Sequence, residues 1–344
     1  MGRAFKIVGW AVGAVLIVIL AAFLALQRGD IPYATLEQRY GAPTSHYLDL
    51  PDGLHVHYRD EGDPKGPVLV LVHGYSASAA DWDDWAKRLG DHYHIIAPDL
   101  PGHGLTRAPK GYRTGPEVQV KVVDAVTEAL GLRSFVIAGN SMGGGVAWRY
   151  TLAHPEKVAG LVLVDAAGWP SERKPSGQGA LIFSILNNPV LRPLVKNMDV
   201  TGLAKQGLES ALVDKALVTP TLVKRYTDLA RGPGHRDLLT QGYDRTDVAS
   251  AERLAPIKAP TLIMFGKEDH LIPYTDGQRF KDAINGSTLI IYPEVGHVPM
   301  QQIPDQSAKD LRAWMTALPG VSATAANIHI PITVRELPPA RAAR

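Results

Sequence analysis

The chain has 344 residues, and its 36 Lys and Arg against 34 Asp and Glu leave a formal net charge of +2. This balance excludes an electrostatic nucleic-acid binder, while 45% hydrophobic residues with 33 Gly and 26 Pro exclude a disordered or fibrous chain. The absence of cysteine from the sequence excludes disulfides, thiol nucleophiles and Cys-type zinc sites. The length suffices for one large α/β domain or two smaller ones.

An unbroken apolar run from Ile7 to Leu26 lies near the start of the sequence. As a helix it would be about 30 Å long, the hydrocarbon thickness of a bilayer, so residues 1–45 are predicted to be a membrane anchor and linker. Because Arg3 and Lys6 precede the run, the positive-inside rule predicts that the rest of the chain lies outside the cytoplasm. A cleaved signal peptide is the alternative and would make the protein secreted, although residues 20–30 contain no small-x-small cleavage pair.

Short apolar runs then alternate with amphipathic ones, which is typical of a mostly parallel sheet covered by helices. Tyr47–Leu50 and Leu54–Tyr58 predict a hairpin around Pro51-Asp52-Gly53. His55 and His57 alternate along a predicted strand, and we interpret them as surface residues rather than metal ligands. Further strands are predicted at Val68–Val72, Ile95–Ala97, Phe135–Ala138 and Val158–Val164, and helices at 115–131 and Met142–His154.

Residues 169–256 interrupt this alternation because they contain no buried-strand run. We interpret them as a helical cap, inserted between a first core part at 46–168 and a second at 257–319. Helical pieces of the cap are predicted at Ala180–Asn187, Leu203–Leu217 and Leu222–Leu229. The second core part is predicted to contain Thr261–Phe265, Thr275–Ile284, Thr288–Tyr292 and Gln306–Leu318. The tail at 320–344 has no functional interpretation.

Gly139-Asn140-Ser141-Met142-Gly143 is the only GxSxG sequence in the chain. It follows the predicted strand Phe135–Ala138 and precedes a predicted helix, which is the context that this motif requires. A sharp turn there exposes the serine hydroxyl, and crowding around the turn requires small residues two positions before and after it. We therefore predict that Ser141 is a nucleophile and that the Met142 amide, at the helix N-terminus, stabilises an anion beside it.

A serine hydroxyl reacts only when a base removes its proton and a carboxylate orients that base. His297, in the loop after the predicted strand Thr288–Tyr292, is the candidate base. Asp269 follows the predicted strand Thr261–Phe265, at the carboxyl edge where ligand sites of open α/β sheets lie. Asp165, which ends the strand before the cap, is the rival acid.

The chain order Ser141, Asp269, His297 resembles that of the α/β-hydrolase fold family. The resemblance runs from about Tyr47 to Leu318 and implies a capped serine hydrolase of the carboxylesterase, haloperoxidase-like or meta-cleavage-product hydrolase group. Val72-His73-Gly74-Tyr75 resembles the oxyanion loop of the family, which implies that the Tyr75 amide is the second oxyanion donor. The sequence from Asp99 to Gly104 resembles the structural D-x-x-G-x-G loop of the family.

Two subfamilies compete for the reaction. The sequence from Gly139 to Gly144 and the cap resemble the meta-cleavage-product hydrolases, which hydrolyse carbon–carbon bonds. The chain departs from them in an oxyanion loop with less Gly and Pro, and in Val298, where they often have Trp. The sequence around His297 looks more like general esterases and haloperoxidase-like hydrolases. We therefore expect carboxylic ester hydrolysis, with carbon–carbon hydrolysis as the alternative and a non-catalytic ligand-binding protein as a second alternative.

The remaining expectations concern the substrate and partners. Trp169, where the cap begins, is a candidate wall of the substrate pocket, with packing beneath the cap as the alternative. An apolar cap near a membrane favours a lipid-like ester. The sequence contains no metal-ligand cluster, phosphate loop or dinucleotide fingerprint, so no cofactor or metal is expected. The GxxxG spacing of Gly9 and Gly13 leaves a homodimer open, although small residues in so Ala-rich a segment commonly produce it by chance.

Overall fold

One eight-stranded sheet forms the centre of the computed structural model, which describes residues 2–170, 188, 192, 196–241 and 247–318. The strands are β1 (Ser45–Asp49), β2 (His55–Gly62), β3 (Val68–Val72), β4 (His94–Pro98), β5 (Phe135–Asn140), β6 (Val158–Val164), β7 (Thr261–Gly266) and β8 (Thr288–Tyr292). Their order in the sheet is β1-β2-β4-β3-β5-β6-β7-β8. The β1–β2 and β2–β4 pairs are antiparallel, and the other pairs are parallel.

Helices connect and cover these strands. Those of the described residues are α1 (Gly2–Ala25), α2 (Tyr33–Tyr40), α3 (Asp83–Leu89), α4 (Pro116–Ala129), α5 (Met142–Ala153), α6 (Thr201–Ala211), α7 (Pro220–Leu229), α8 (His235–Leu239), α9 (Ala251–Leu254), α10 (Tyr274–Ala283), α11 (Pro299–Gln302) and α12 (Pro304–Thr316), with 3-10 turns at Ala79–Trp82 and Lys215–Leu217. α4 and α5 pack on one face of the sheet, and α3 and α12 pack on the other.

The central strands are buried on both faces, which explains their continuous apolar sequences. Along β3, Val68, Val70 and Val72 face the core beneath α4 and α5. Leu69 and Leu71 face the core beneath α3 and α12. Because both faces are apolar, the functional groups of this sheet are confined to its ends and to the loops that leave them.

Most strands and helices of the described core lie where the sequence predicts them. The hairpin is confirmed, with Leu48 paired to Val56, and the predicted strand bounds agree with the observed ones to within a few residues. Three expectations are wrong. The linker after the apolar run contains α2, and His57 is buried, because the rest of the chain covers its face of β2. The helix predicted at Leu203–Leu217 ends at Ala211. The helix predicted at Ala180–Asn187 and the tail at 320–344 lie outside the described residues.

The predicted membrane segment falls largely within α1. Several of its apolar side chains are strongly exposed, with Trp10 at 81% and Ile17 at 69%. Across the part of the chain that the structure describes, no helix combines the length and the hydropathy needed to span a bilayer. The transmembrane helix expected from the sequence is therefore not confirmed.

The segment after α1 is bonded to the cap rather than extended away from it. Gln27 forms an isolated β-bridge with Met198, and the Ile31 amide donates to the Arg231 carbonyl at 2.8 Å. The Arg28 guanidinium pairs with the Asp199 carboxylate at 2.9 Å. Residues 26–31 therefore fasten the N-terminal helix to the cap.

A buried acidic side chain links the cap to the core. Asp81, in the 3-10 turn before α3, accepts hydrogen bonds from Arg225 at 2.8 Å and from the Tyr226 hydroxyl at 2.6 Å, both on α7. Burial raises the pKa of the Asp81 carboxyl, although the Arg225 charge opposes this shift. The contact holds α7 against the 3-10 turn that precedes α3.

Candidate active site

Ser141 occupies a strained turn between β5 and α5. Its backbone has φ +55° and ψ −120°, a conformation that non-glycine residues rarely adopt. A Cβ on Gly139 would lie 2.1 Å from the Gly143 carbonyl oxygen, and a Cβ on Gly143 would lie 2.1 Å from that of Val72. Since these neighbours are backbone atoms that cannot move aside, only glycine fits at either position, which is the physical content of the GxSxG sequence.

The predicted oxyanion loop lies against this turn. A Cβ on Gly74 would lie 3.2 Å from the Cβ of Ser141, so the loop after β3 passes directly beside the serine. The Tyr75 hydroxyl donates to the Leu239 carbonyl at 2.7 Å, which ties the loop to the cap helix α8. Tyr75, Ser141 and Met142 line one cavity. The structure thus brings the two predicted donor residues to the serine, and their role as oxyanion donors stays a prediction.

His297 and Asp269 form a buried hydrogen-bonded pair. The distance between His297 Nδ1 and Asp269 Oδ2 is 2.7 Å, and the Asp269 side chain is fully buried. Its other oxygen, Oδ1, accepts the amides of Leu271 and Ile272 at 2.7 and 3.0 Å. The carboxylate is therefore fixed in one orientation, with one oxygen on the imidazole and the other on its own loop.

Asn140 connects this pair to the serine turn. Its Nδ2 donates to the His297 carbonyl at 3.0 Å and to the Val164 carbonyl at 3.2 Å. Asn140 directly precedes Ser141, so the histidine loop is bonded to the residue beside the predicted nucleophile. All three residues of the predicted triad therefore converge at the carboxyl end of the sheet.

The cap also touches the histidine loop. The His297 amide donates to the carbonyl of Ala211, the last residue of α6, at 2.7 Å. A Cβ on Gly296 would lie 2.3 Å from that carbonyl oxygen, so glycine is needed for the approach. Asp269 thereby fixes the side chain of His297, and the cap fixes its backbone.

Asp165 lies beside the pair but does not bond to the histidine. Its Oδ1 accepts the Gly266 amide at 2.9 Å, while Oδ2 is buried without a hydrogen-bond partner in the described part of the chain. Burial raises the pKa of the Asp165 carboxyl well above its ordinary value, and the neighbouring Asp269 charge raises it further. Of the two acids weighed from the sequence, Asp269 is the one in contact with His297.

One set of side chains in the described residues has the spacing of a metal site. Ligand atoms of Asp165, Asp269 and His297 lie within 4.8 Å of one another. The Asp269 oxygens already accept from His297 and from two backbone amides, so few of its lone pairs are left for a cation. The arrangement is suited to orienting an imidazole.

A cavity of about 300 Å³ opens in front of Ser141. The residues lining it are Tyr75, Pro116, Gln119, Ser141, Met142, Gly145, Arg149, Ala167, Gly168 and Asp247. Trp169 is absent from this set, within the described residues. It packs edge-on against Phe280 at 5.5 Å between ring centroids, beneath the Arg279 guanidinium. These contacts are the ones expected if Trp169 packs beneath the cap and does not form a wall of the substrate pocket.

Sequence reasoning missed the ion pair in the cavity wall. Arg149 Nε donates to Asp247 Oδ2 at 2.7 Å, and its Nη1 donates to the Gly145 carbonyl at 2.8 Å. Arg149 lies on the helix that begins at Met142, about two turns beyond the serine, so helical periodicity alone places it near the cavity. The sequence contains no signal for its partner, because Asp247 is 98 residues away.

The fold and this site define a hydrolase of the α/β class. The family model described as alpha/beta hydrolase fold matches residues 67–301. The chain belongs to this family, as the order and surroundings of the three site residues predict.

Relatives within the family fall into two groups. The chain is 29% identical to Lipase 1 of Psychrobacter immobilis, over 79% of this chain and 84% of the lipase. It is 26% identical to a 2-hydroxy-6-oxo-6-phenylhexa-2,4-dienoate hydrolase of Burkholderia cepacia, over 70% of this chain and 84% of that protein. Among solved structures, a membrane phospholipase A described as a bacterial virulence factor superposes with a TM-score of 0.67 and 26% identity, over 90% of this chain and 98% of the phospholipase.

Proposed function

We propose that the protein is a serine hydrolase that cleaves carboxylic esters with apolar or lipid-like acyl groups through an acyl-enzyme on Ser141. The observation that carries this proposal is the position of Ser141, on the wall of a largely apolar cavity and bonded through Asn140 to the loop of the His297–Asp269 pair. A serine, an imidazole and a carboxylate in this chain order are the groups that the acyl-enzyme mechanism of ester hydrolysis requires.

Each group has one task in the proposed reaction. His297 removes the hydroxyl proton as Ser141 attacks the acyl carbon, and Asp269 holds the imidazole with Nδ1 protonated. The amides of Tyr75 and Met142 stabilise the negative oxygen, a contribution of about 3–4 kcal/mol for each donor. The imidazolium then protonates the leaving alkoxide, and a water deprotonated by the same imidazole releases the acid and restores the serine.

The lipase and phospholipase relatives support an apolar ester. Pro116, Met142, Ala167 and Gly168 give much of the cavity wall an apolar surface. Such a surface gains about 0.8 kcal/mol for each buried methylene of an acyl chain. The names of these relatives point to lipid esters as the substrate class.

Carbon–carbon hydrolysis is the second candidate, because a dienoate hydrolase is about as similar to this chain as the lipase is. A dienoate substrate carries a carboxylate, whose negative charge needs a cation in the cavity wall to compensate it. Among the described residues that line the cavity, Arg149 is the cation, and its charge is already compensated by Asp247. This compensation favours the neutral ester.

A panel of p-nitrophenyl esters tests the choice, with a 2-hydroxy-6-oxo-dienoate assayed at the same enzyme concentration. We expect hydrolysis of the esters, with kcat/KM rising from the acetyl ester to medium chains by up to about fourfold for each methylene that is buried. The dienoate should be consumed much more slowly. Faster consumption of the dienoate than of every ester would contradict the proposal in favour of carbon–carbon hydrolysis.

We propose as well that the protein associates with a lipid bilayer through α1, with its catalytic part outside the cytoplasm. The exposed apolar side chains of α1 support this, since apolar surface of this extent is unfavourable in water. The sequence prediction of a secreted protein, if the segment is cleaved, is the alternative.

Flotation with phosphatidylcholine vesicles tests the lipid association. The full chain is expected to float with the vesicles, whereas a variant with Trp10→Glu and Ile17→Glu is expected to remain in the dense fraction, because each charge opposes burial in hydrocarbon. The control carries Val213→Glu and Leu217→Glu, since these add the same two charges at exposed apolar positions of the cap. Equal flotation of the α1 variant and the control would overturn the role of α1.

A further inference from the structure

The buried carboxyl of Asp165 has no task in the reaction described above. It follows β6 with a positive φ of 42°, a conformation that is costly for aspartate. Its amide donates to the Met264 carbonyl at 2.9 Å, and its Oδ1 accepts the Gly266 amide, also at 2.9 Å. The surrounding strands β6 and β7 therefore hold this side chain in place at the carboxyl end of the sheet.

Its remaining oxygen is next to the His297–Asp269 pair. Oδ2 of Asp165 is buried and has no hydrogen-bond partner within the described ranges, and ligand atoms of the three side chains lie within 4.8 Å of one another. Two carboxylates this close in a buried site do not both ionise, because the second charge is repelled by the first and has no water to solvate it. One proton therefore resides on the pair of acids.

The hydrogen bonds decide which acid carries it. Asp269 accepts from His297 Nδ1 and from two backbone amides, all of which stabilise its charged form. Asp165 accepts a single amide, from Gly266. The proton accordingly belongs on Asp165, in line with the upward shift of its pKa by burial and by the Asp269 charge.

We propose that Asp165 is a positioning residue, a neutral carboxyl group that directs its proton at Asp269 and so keeps one negative charge, in a fixed orientation, behind His297. This inference rests on the proposed function, because that function assigns His297 as the base and Asp269 as the group that orients it. Asp165 acts only through Asp269 and makes no contact with the substrate cavity formed by the described residues.

Within the part of the chain that the structure describes, few ionisable groups face Asp165. Asp269 follows β7, His297 lies in the loop after β8, and Tyr292, whose own pKa is raised chiefly by burial, ends β8. The charged neighbours Lys267 and Glu268 are exposed to solvent. A change at Asp165 is therefore felt first by Asp269 and His297.

Two substitutions separate the proton donor from the bulk of the side chain. In Asp165→Asn, the amide group donates to Asp269 while its oxygen still accepts from Gly266, so kcat should stay within about threefold of the parent value. Asp165→Ala removes both contacts, and kcat should fall about tenfold at unchanged KM, because Asp269 loses one of the groups that orient it. In Asp165→Ala, the acid limb of the kcat/KM profile should also move to higher pH, since the unshared charge of Asp269 favours the protonated base.

Stability gives a readout that does not depend on turnover. Because the pKa of Asp165 is raised on folding, its proton contributes stability that is complete below the ordinary carboxyl pKa and is lost as the pH rises toward the raised value. Asparagine has no such loss. The melting temperature of Asp165→Asn should therefore rise relative to that of the parent as the pH is raised from 4.5 to 8. Glu268→Gln, which neutralises the exposed acid next to Asp269, should show a constant difference.

The outcomes distinguish this inference from the proposed function. If the parent hydrolyses esters but Asp165→Ala matches its kcat and pH profile, or Asp165→Asn loses as much activity as Asp165→Ala, the inference is overturned alone. If the parent hydrolyses no ester, the proposed function fails, and the melting temperatures still decide whether Asp165 holds the proton. A pH-independent difference between Asp165→Asn and the parent would overturn the inference.

Discussion

Replacing Ser141 with alanine is expected to lower kcat on ester substrates by on the order of 10⁶-fold, because the attacking oxygen is lost and its base has nothing to deprotonate. Alanine retains the Cβ that the strained turn already accommodates at φ +55°, so the fold should persist. The measurement is the hydrolysis of a p-nitrophenyl ester, together with covalent labelling by a fluorophosphonate that reports the activated serine directly.

The matched control is Ser134→Ala, which removes an exposed hydroxyl from the turn before β5. It should be labelled and active like the parent. A Ser141→Ala protein that hydrolyses esters at the parent rate would refute the assignment of the nucleophile. A parent protein that binds apolar ligands but is never labelled would favour the non-catalytic binding alternative.

Replacing Asp99 with alanine is expected to lower the free energy of unfolding by about 3–5 kcal/mol, because three buried donors lose a charged acceptor. The Asp99 carboxylate bonds His57 Nδ1 at 2.6 Å and accepts the amides of Ala79 and Leu105 at 2.7 and 2.8 Å. Its loss leaves these three groups buried without their acceptor. Denaturant unfolding monitored by circular dichroism measures the change.

Asp99→Ala should lower the free energy of unfolding by a smaller amount at acidic pH. Burial opposes ionisation of Asp99, but the charge and hydrogen bond of His57, the charge of His73 and the hydrogen bond from the Ala79 amide together outweigh it, so the pKa of Asp99 lies well below its ordinary value. A group whose pKa is lowered by folding contributes stability above its unfolded pKa and loses that contribution as the pH falls through the folded value. The gap between parent and Asp99→Ala should therefore narrow below about pH 4.

The chain supplies an exposed counterpart to this pair. Asp49 and His55 also lie 2.6 Å apart, but the Asp49 side chain is 86% exposed. Asp49→Ala should cost no more than about 1 kcal/mol, because water replaces the lost partner. Equal losses for Asp49→Ala and Asp99→Ala would contradict the structural role of Asp99.

The parts of the fold that the sequence predicts well are those decided by near neighbours. The run Val68–Val72 matches β3 residue for residue, because five apolar side chains in succession suit a strand buried on both faces. The turn at Ser141 is also marked locally, since the two required glycines lie two residues away on either side, although the atom that excludes a side chain at Gly143 is the Val72 carbonyl oxygen of β3. Both features can therefore be recognised from a few consecutive residues.

The parts that it predicts poorly depend on residues far along the chain. Alternation in β2 shows that His57 shares a face with His55, but only the folded chain determines that one is covered and bonded to Asp99 while the other is not. The α2 helix was missed because it is short and buries mainly Leu36, too little to give a helical repeat. The Arg149–Asp247 pair in the cavity wall joins two segments that are 98 residues apart, so no local sequence pattern predicts their contact.

The hydrogen bond from the His297 amide to the Ala211 carbonyl has a mechanical consequence. Any displacement of the end of α6 away from the core would break this bond to the loop that carries the predicted base. The position of this part of the cap and the backbone position of His297 are therefore coupled.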